Sequence, residues 1–244
     1  MARRAAERPA PRKAAPPLER PARKAPPPPP PAVVEVFEEV EQGSEEWVNL
    51  RLGVPTASNF ALVMADAKDG EASKTRARYM RMLAGEILTG RPAEGKIITA
   101  AMQRGRDMEP EARQHYLDRH FVDLRQVGFI RRRLPSGRYA GCSPDALIGD
   151  RKALEIKTMA PDLMIERLEK GAGMPPEHKA QCQGTLWIGD FQEVDLLLFY
   201  SGFPVAPKFT VMRDETYIRE LANAVEIFEF ETRRLVEKIR RMGS

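Results

Sequence analysis

The sequence predicts an α/β domain behind an unfolded tail. Three observations predict it: a proline-rich basic N-terminus with almost no core residues, segments of helical periodicity on both sides of a β-rich middle, and a short apolar run, 194–200, of the kind that forms a buried strand.

Residues 1–31 hold eight Arg and Lys against two Glu, a net charge of +6, and 11 of the 21 prolines. Proline fixes φ and has no N–H to donate. With almost no large apolar side chains the segment cannot offset its ordering entropy. Residues 1–32 therefore read as a disordered Pro/Arg-rich basic tail, either a tether to DNA or a partner, or a spacer. The whole chain carries +4, so the 213 residues after the tail sum to −2. A DNA-binding surface on them has to concentrate positive charge locally.

Residues 33–244 suffice for one domain with a real core. No apolar run nears the ~20 residues of a membrane helix, and no apolar stretch follows the basic N-terminus as in a signal peptide. Only Cys142 and Cys182 are present. They exclude a disulfide framework and read as reduced thiols of a cytoplasmic protein.

Order is expected from Val33. Ser44, with Glu45 and Glu46 behind it, opens a short helix over 44–52. A second helix begins near Thr56-Ala57-Ser58. A longer one runs from about Lys74 to Leu88 and stops at Gly90, with Pro92 beyond. Another covers residues 108–120, with Pro110 in its first turn. Strands are then expected over 127–133, 138–142, 146–148 and 153–158, with turn signals at Pro135-Ser136-Gly137 and Gly149-Asp150. Helices follow over 161–170 and 176–188, then strands over 194–200 and 209–213. A closing helix spans 214–241, with Leu221, Val225, Phe228, Leu235 and Ile239 near helical spacing.

The densest chemistry lies in Gly141-Cys142-Ser143-Pro144-Asp145, followed after nine residues by Glu155-Ile156-Lys157. Pro144 favours an extended entry and a turn. Glu155 and Lys157 are two apart on a strand and leave one face, while Leu154 and Ile156 face a packed layer. Charge on a buried strand is costly unless paired or bound to metal. Mg²⁺ keeps several waters and uses one or two carboxylates plus substrate phosphate. Asp145 and Glu155, brought together across a hairpin, suit that role. Lys157 then orients or deprotonates the nucleophile, or neutralises the transition-state phosphate. The plainer reading of Glu-x-Lys is a salt bridge on an exposed strand. Glu109 falls at a predicted helix start, where a carboxylate is also welcome as a cap.

Ser-Pro-Asp, nine residues, then Glu-x-Lys resembles the PD-(D/E)XK nuclease superfamily. The surrounding sequence is similar to the YqaJ-type viral recombinases, the lambda exonuclease branch of it. Glu41-Gln42-Gly43, Trp47, Leu50-Arg51-Leu52-Gly53-Val54 and Thr56-Ala57-Ser58 carry the N-terminal part of the likeness. Glu109 with Ala112-Arg113 carries the helix motif, and Gln181, Gln183 and Trp187 the later one. These blocks span about residues 41–190.

The resemblance implies a restriction-endonuclease-like fold, a central mixed sheet flanked by helices. It implies one or two Mg²⁺ ions, with Mn²⁺ as a substitute, held by Glu109, Asp145, Glu155 and the backbone carbonyl of Ile156. Lys157 and Gln181 join them as catalytic residues. Arg51, Ser58 and Ser143 would bind a terminal 5′-phosphate, with Lys68 adding charge, and Met102 would wedge apart the duplex end. The implied reaction is processive 5′→3′ digestion of one strand of linear double-stranded DNA to mononucleotides, leaving a 3′ overhang. The implied setting is a ring-shaped homotrimer, phage- or prophage-encoded, working in the host cytoplasm with a single-strand annealing protein. His178 stands where the resemblance expects tyrosine. Plainer readings stay open: Ser58 as a helix N-cap, Arg51 on a solvated helix face, Met102 in the core and His178 on the surface. An endonuclease, another polarity or a non-catalytic DNA-binding protein are the alternative functions. Retention of Glu109, Asp145, Glu155 and Lys157 argues against the last.

Overall fold

The β-rich middle folds into two sheets. In the computed structural model, residues 33–65, 73–93 and 100–243 are described, all within the unit Ala32–Ser244. The expected tail and Lys68 lie outside the described residues, and of Met102 only the backbone is described. Strands β1 (Val34–Phe37), β3 (Phe129–Arg133) and β4 (Tyr139–Cys142) form an antiparallel sheet in the order β1-β3-β4. The second sheet has the order β2-β5-β6-β7-β8, from β2 (Leu124–Arg125), β5 (Ala146–Ile148), β6 (Lys152–Thr158), β7 (Glu193–Phe199) and β8 (Lys208–Met212). Its β6–β7 pair is parallel and the other pairs antiparallel, so this is the expected mixed sheet. The parallel pair requires a long crossover, which carries α5 (Pro161–Glu169) and α6 (Lys179–Gly189).

Helices cover both faces of the mixed sheet. On one face Leu196 and Leu198 of β7 join Phe60, Leu186, Leu221 and Phe228 in the larger core. On the other, Leu154, Ile156, Leu197 and Phe199 pack on Ala112 and Tyr116 of α4 (Ala100–His120). Burial on both sides explains why β7 reads as a continuous apolar run. Helix caps follow the expected chemistry. Ser44 accepts from the Trp47 amide at the start of α1 (Glu45–Arg51), and α3 (Lys74–Thr89) ends at Gly90 with φ 63°. Asp214 caps α7 (Glu215–Met242), whose Leu221, Val225 and Phe228 are buried. Ile239 is 43% exposed, because the last turns of α7 run past the core.

Three expectations are corrected. Helix α4 starts at Ala100 instead of residue 108, so Pro110 and Glu109 sit in its middle and Glu109 is not at a helix start. Residues 100–107 carry no apolar stripe that would have revealed the extra turns. The helix expected over 176–188 divides into a 3₁₀ turn, Pro176–His178, and α6. The helix near Thr56 is a 3₁₀ turn, Ala57–Asn59, leading into the four-residue α2 (Phe60–Val63). Among the described residues no helix is long and apolar enough to cross a membrane.

A buried carboxylate organises the α4 side of the sheet. Asp195 is 0% exposed. It accepts from Tyr116, from Thr210 at 2.7 Å, from Lys208 at 3.0 Å, and lies 3.0 Å from Lys152. Burial works to raise its pKa, but these hydrogen bonds outweigh it and hold the acid below its ordinary value. Replacing Asp195 by Ala leaves two lysines without their shared counter-charge. Asp195→Ala is expected to lower unfolding free energy by about 2–4 kcal/mol in a urea titration.

Candidate active site

Ser143, Pro144 and Asp145 bridge the seam between the two sheets, since β4 ends at Cys142 and β5 begins at Ala146. Pro144 has no N–H to give either ladder. The Asp145 amide donates to the Leu154 carbonyl at 3.0 Å, and its carboxylate accepts the Ile156 amide. Asp145 is thereby fastened to the strand that carries Glu155 and Lys157.

Glu155 points into the α6 side and is 2% exposed. Gln181 donates to it at 2.7 Å and Thr185 at 3.0 Å, and the Lys157 ammonium lies 3.7 Å away. Gln181 and Thr185 are four apart and share a face of α6. Thr185 is a site residue that the sequence reading missed; its spacing from Gln181 was the available signal. Gln183 faces elsewhere: it donates to the Met212 carbonyl at 2.8 Å and accepts the Asp214 amide at 3.0 Å, tying α6 to the start of α7.

The electrostatics follow from burial first and from the neighbouring charges second. Burial and then the Glu155 charge push Asp145 up to about 8. Burial raises Glu155 as well, against the pull of Lys157 and Thr185. For Lys157, burial opposes the ammonium, but Glu155 and Asp145 outweigh it and raise its pKa. Lys157 is therefore held as a cation, which favours orienting or neutralising over proton abstraction. Burial lifts the Cys182 thiol to about 12 and raises Cys142 too, so neither free cysteine is a thiolate.

The opposite wall of the cleft carries polar groups of the other sign. Arg51, at the end of α1, donates to Ser143 Oγ at 3.1 Å and lies over the Trp47 ring, 4.1 Å from its centroid. Trp47 Nε1 donates to the same Ser143 Oγ and to the Gly128 carbonyl, each at 3.0 Å. Arg51 is thus half-buried and stacked, not on a solvated face. Ser58 is exposed in the 3₁₀ turn, 3.4 Å from Thr56 Oγ1, and caps no helix. Arg51, Ser58, Ser143, Asp145, Glu155, Lys157 and Gln181 all line one cleft of about 200 Å³.

Glu109 stands apart from this group. It pairs with Arg113 and lines an adjoining cleft of about 690 Å³, which meets the first at Asp145. Its charge still raises the pKa of Asp145 and Glu155. Ile156 contributes backbone only, its side chain lying in the α4 layer. His178 ends the 3₁₀ turn before α6; burial, then the Lys157 charge, lower its pKa. Among the described residues no group of three or more His, Cys, Asp or Glu side chains is placed to hold a metal ion. Two buried, mutually repelling carboxylates opening on a cleft nevertheless fit a hard cation that keeps most of its waters.

A mixed sheet between helices, with Asp145 at the entry to β5 and Glu155 and Lys157 on β6, is the PD-(D/E)XK nuclease architecture. An alkaline exonuclease from Laribacter hongkongensis superposes with a TM-score of 0.72 at 32% identity, over 82% of this chain and 98% of that one. The structure of that exonuclease in complex with dAMP gives 0.71 at 31% identity over the same shares. A phage-related exonuclease from Haemophilus somnus 129PT shares the fold, with a TM-score of 0.55 at 14% identity over 76% and 96%. A search of curated proteins finds no match. The family model described as YqaJ-like viral recombinase domain matches residues 46–192. The chain belongs to the YqaJ-like viral recombinase family, and its relatives support a nuclease of that family.

Thr185→Val keeps the shape of the side chain but withdraws a hydrogen bond from Glu155. It is expected to lower the unfolding free energy by about 1–2 kcal/mol in a urea titration, with the secondary structure intact by circular dichroism.

Proposed function

We propose that this protein is a Mg²⁺-dependent 5′→3′ exonuclease. It removes one strand of linear double-stranded DNA as mononucleotides and leaves a 3′ single-stranded overhang for phage-type recombination. One observation carries the reading: a single cleft joins Arg51, Ser58 and Ser143 to Asp145, Glu155, Lys157 and Gln181. A guanidinium and hydroxyls suit a terminal phosphate. The acidic group suits the phosphodiester bond next to it. Membership of the recombinase family and the alkaline exonuclease neighbour support the same reading.

Asp145, Glu155, Glu109 and the Ile156 carbonyl would hold one or two Mg²⁺ ions, with Mn²⁺ as a substitute. Bound there, the metal supplies Lewis-acid polarisation of the phosphoryl group and a more acidic water. The protein's own groups do the rest. Gln181 and Thr185 fix the Glu155 carboxylate. Lys157 orients the attacking water and offsets charge that builds on the phosphate. Arg51, Ser58 and Ser143 hold the 5′ end so that the cut falls one nucleotide in. Family resemblance extends the proposal to a ring-shaped trimer around the DNA. It also extends it to a single-strand annealing protein that takes the 3′ strand, and to a phage or prophage origin with work in the host cytoplasm.

Three DNAs test the activity in Mg²⁺: a linear duplex with 5′-phosphate, the same duplex without it, and a closed circle. Rapid loss of the first alone is expected. Cutting of the circle would assign an endonuclease, and inertness in both Mg²⁺ and Mn²⁺ with DNA still bound would assign a binding protein. For Lys157→Ala, cleavage is expected to fall by about 10²–10³-fold while DNA binding persists in a gel-shift assay. Undiminished cleavage would remove the lysine from the mechanism.

A further inference from the structure

Gln42 lies outside every role given so far, yet it borders both clefts. Its side-chain amide donates to two backbone carbonyls from distant parts of the chain: Val127 at 2.9 Å and Pro144 at 3.0 Å. The Pro144 carbonyl belongs to the peptide whose N–H is the Asp145 amide, and that N–H is held by Leu154 at 3.0 Å. The peptide entering Asp145 is therefore gripped at both ends. Trp47 repeats the bridge one residue along, from Gly128 to Ser143. Gln42 and Trp47 thus tie the same two loops together. The segment before Gln42 lies flush on one of them, because a Cβ on Gly128 would meet the Val40 carbonyl oxygen at 1.9 Å. An amide is well suited to this place: its NH₂ supplies two donors on one planar group.

We propose that Gln42 is a positioning residue that sets the spacing between the phosphate-anchoring Ser143 and the acidic Asp145, and so sets where the strand is cut relative to its end. The inference rests on the exonuclease reading above. With Gln42 unable to donate, Pro144 turns more freely. Ser143 stays held by Arg51 and Trp47, and Asp145 by Leu154 and Ile156, while the Pro144 peptide that links the two loses its restraint and lets their separation vary. Small misplacements at a reacting centre cost rate steeply.

The test compares wild type with Gln42→Met, which keeps length without donors, and Gln42→Glu, which sets a carboxylate against two carbonyls. Rates and product lengths are read on 5′-phosphorylated duplex by denaturing electrophoresis. The measurements are made at a temperature where circular dichroism finds all three proteins folded. Wild type releasing mononucleotides establishes the exonuclease reading; if it does not, that reading fails first. The expected result for Gln42→Met is a kcat at least about tenfold lower with KM within about twofold. Dinucleotides should appear among its products, and Gln42→Glu should be lower still. Wild-type kcat and product length in Gln42→Met would overturn the proposal. So would the lack of any temperature at which the variants fold, which would make Gln42 a folding contact only.

Discussion

Glu155 is a carboxylate sunk into the interior on a central strand, and the site is arranged around meeting that demand. Isolated, such a charge would be driven to protonate. Here Lys157 supplies the opposite charge, and Gln181 and Thr185 supply hydrogen bonds to its oxygens. Both donors come from α6, so the helix has to lie close over β6. Gly184 lets the same helix lie close on a second element: a Cβ there would stand 2.5 Å from the Phe60 ring and 3.2 Å from Ala57. The helix that satisfies Glu155 thereby also seats the turn bearing Ser58. One packing contact places residues on both walls of the cleft.

The seam between the sheets does the complementary work. Thr56 bridges to Gly141 on the edge of β4, and the Gly141 amide donates to the Pro55 carbonyl at 3.0 Å. Two residues on, the chain leaves that sheet at Ser143 and joins the other at Asp145. Ser143, which meets Arg51, and Asp145, which is fastened to β6, are two residues apart on one backbone. The residues after the tail sum to −2, yet Arg51 and Lys157 both line this cleft. The Lys152, Lys208 and Asp195 group occupies the far face of the sheet, where it fixes α4 and leaves the cleft alone.

What the sequence reveals depends on how local the cause is. Alternation on β6 places Glu155 and Lys157 on one face, and the Ser44 and Gly90 caps mark helix ends, because neighbouring residues suffice to produce them. Strands β1 and β2 are missed: four and two residues are too few for a pattern, and they exist through pairing with β3 and β5. The beginning of α4 is missed because its first turns lack an apolar stripe, which in turn misplaces Glu109. Thr185 reads as an ordinary helix threonine, and Gln42 belongs to the family likeness without a role attached to it. Their partners, Glu155, Val127 and Pro144, are brought to them only by the tertiary fold.

That division has a mechanical side. The acids are carried by strands or fastened to them, while the groups that orient them arrive from α6 and from the loop before α1. Strands hemmed by helices on both faces hold their side chains closely, and a site needs such rigidity to distinguish a transition state from a bound substrate. Glu109 departs from this rule. It comes from a helix, faces a second cleft and is occupied by Arg113. Arg113 holds one of its two oxygens, Oε1. The repulsion Glu109 already exerts on Asp145 and Glu155 is the force that a bound cation would relieve.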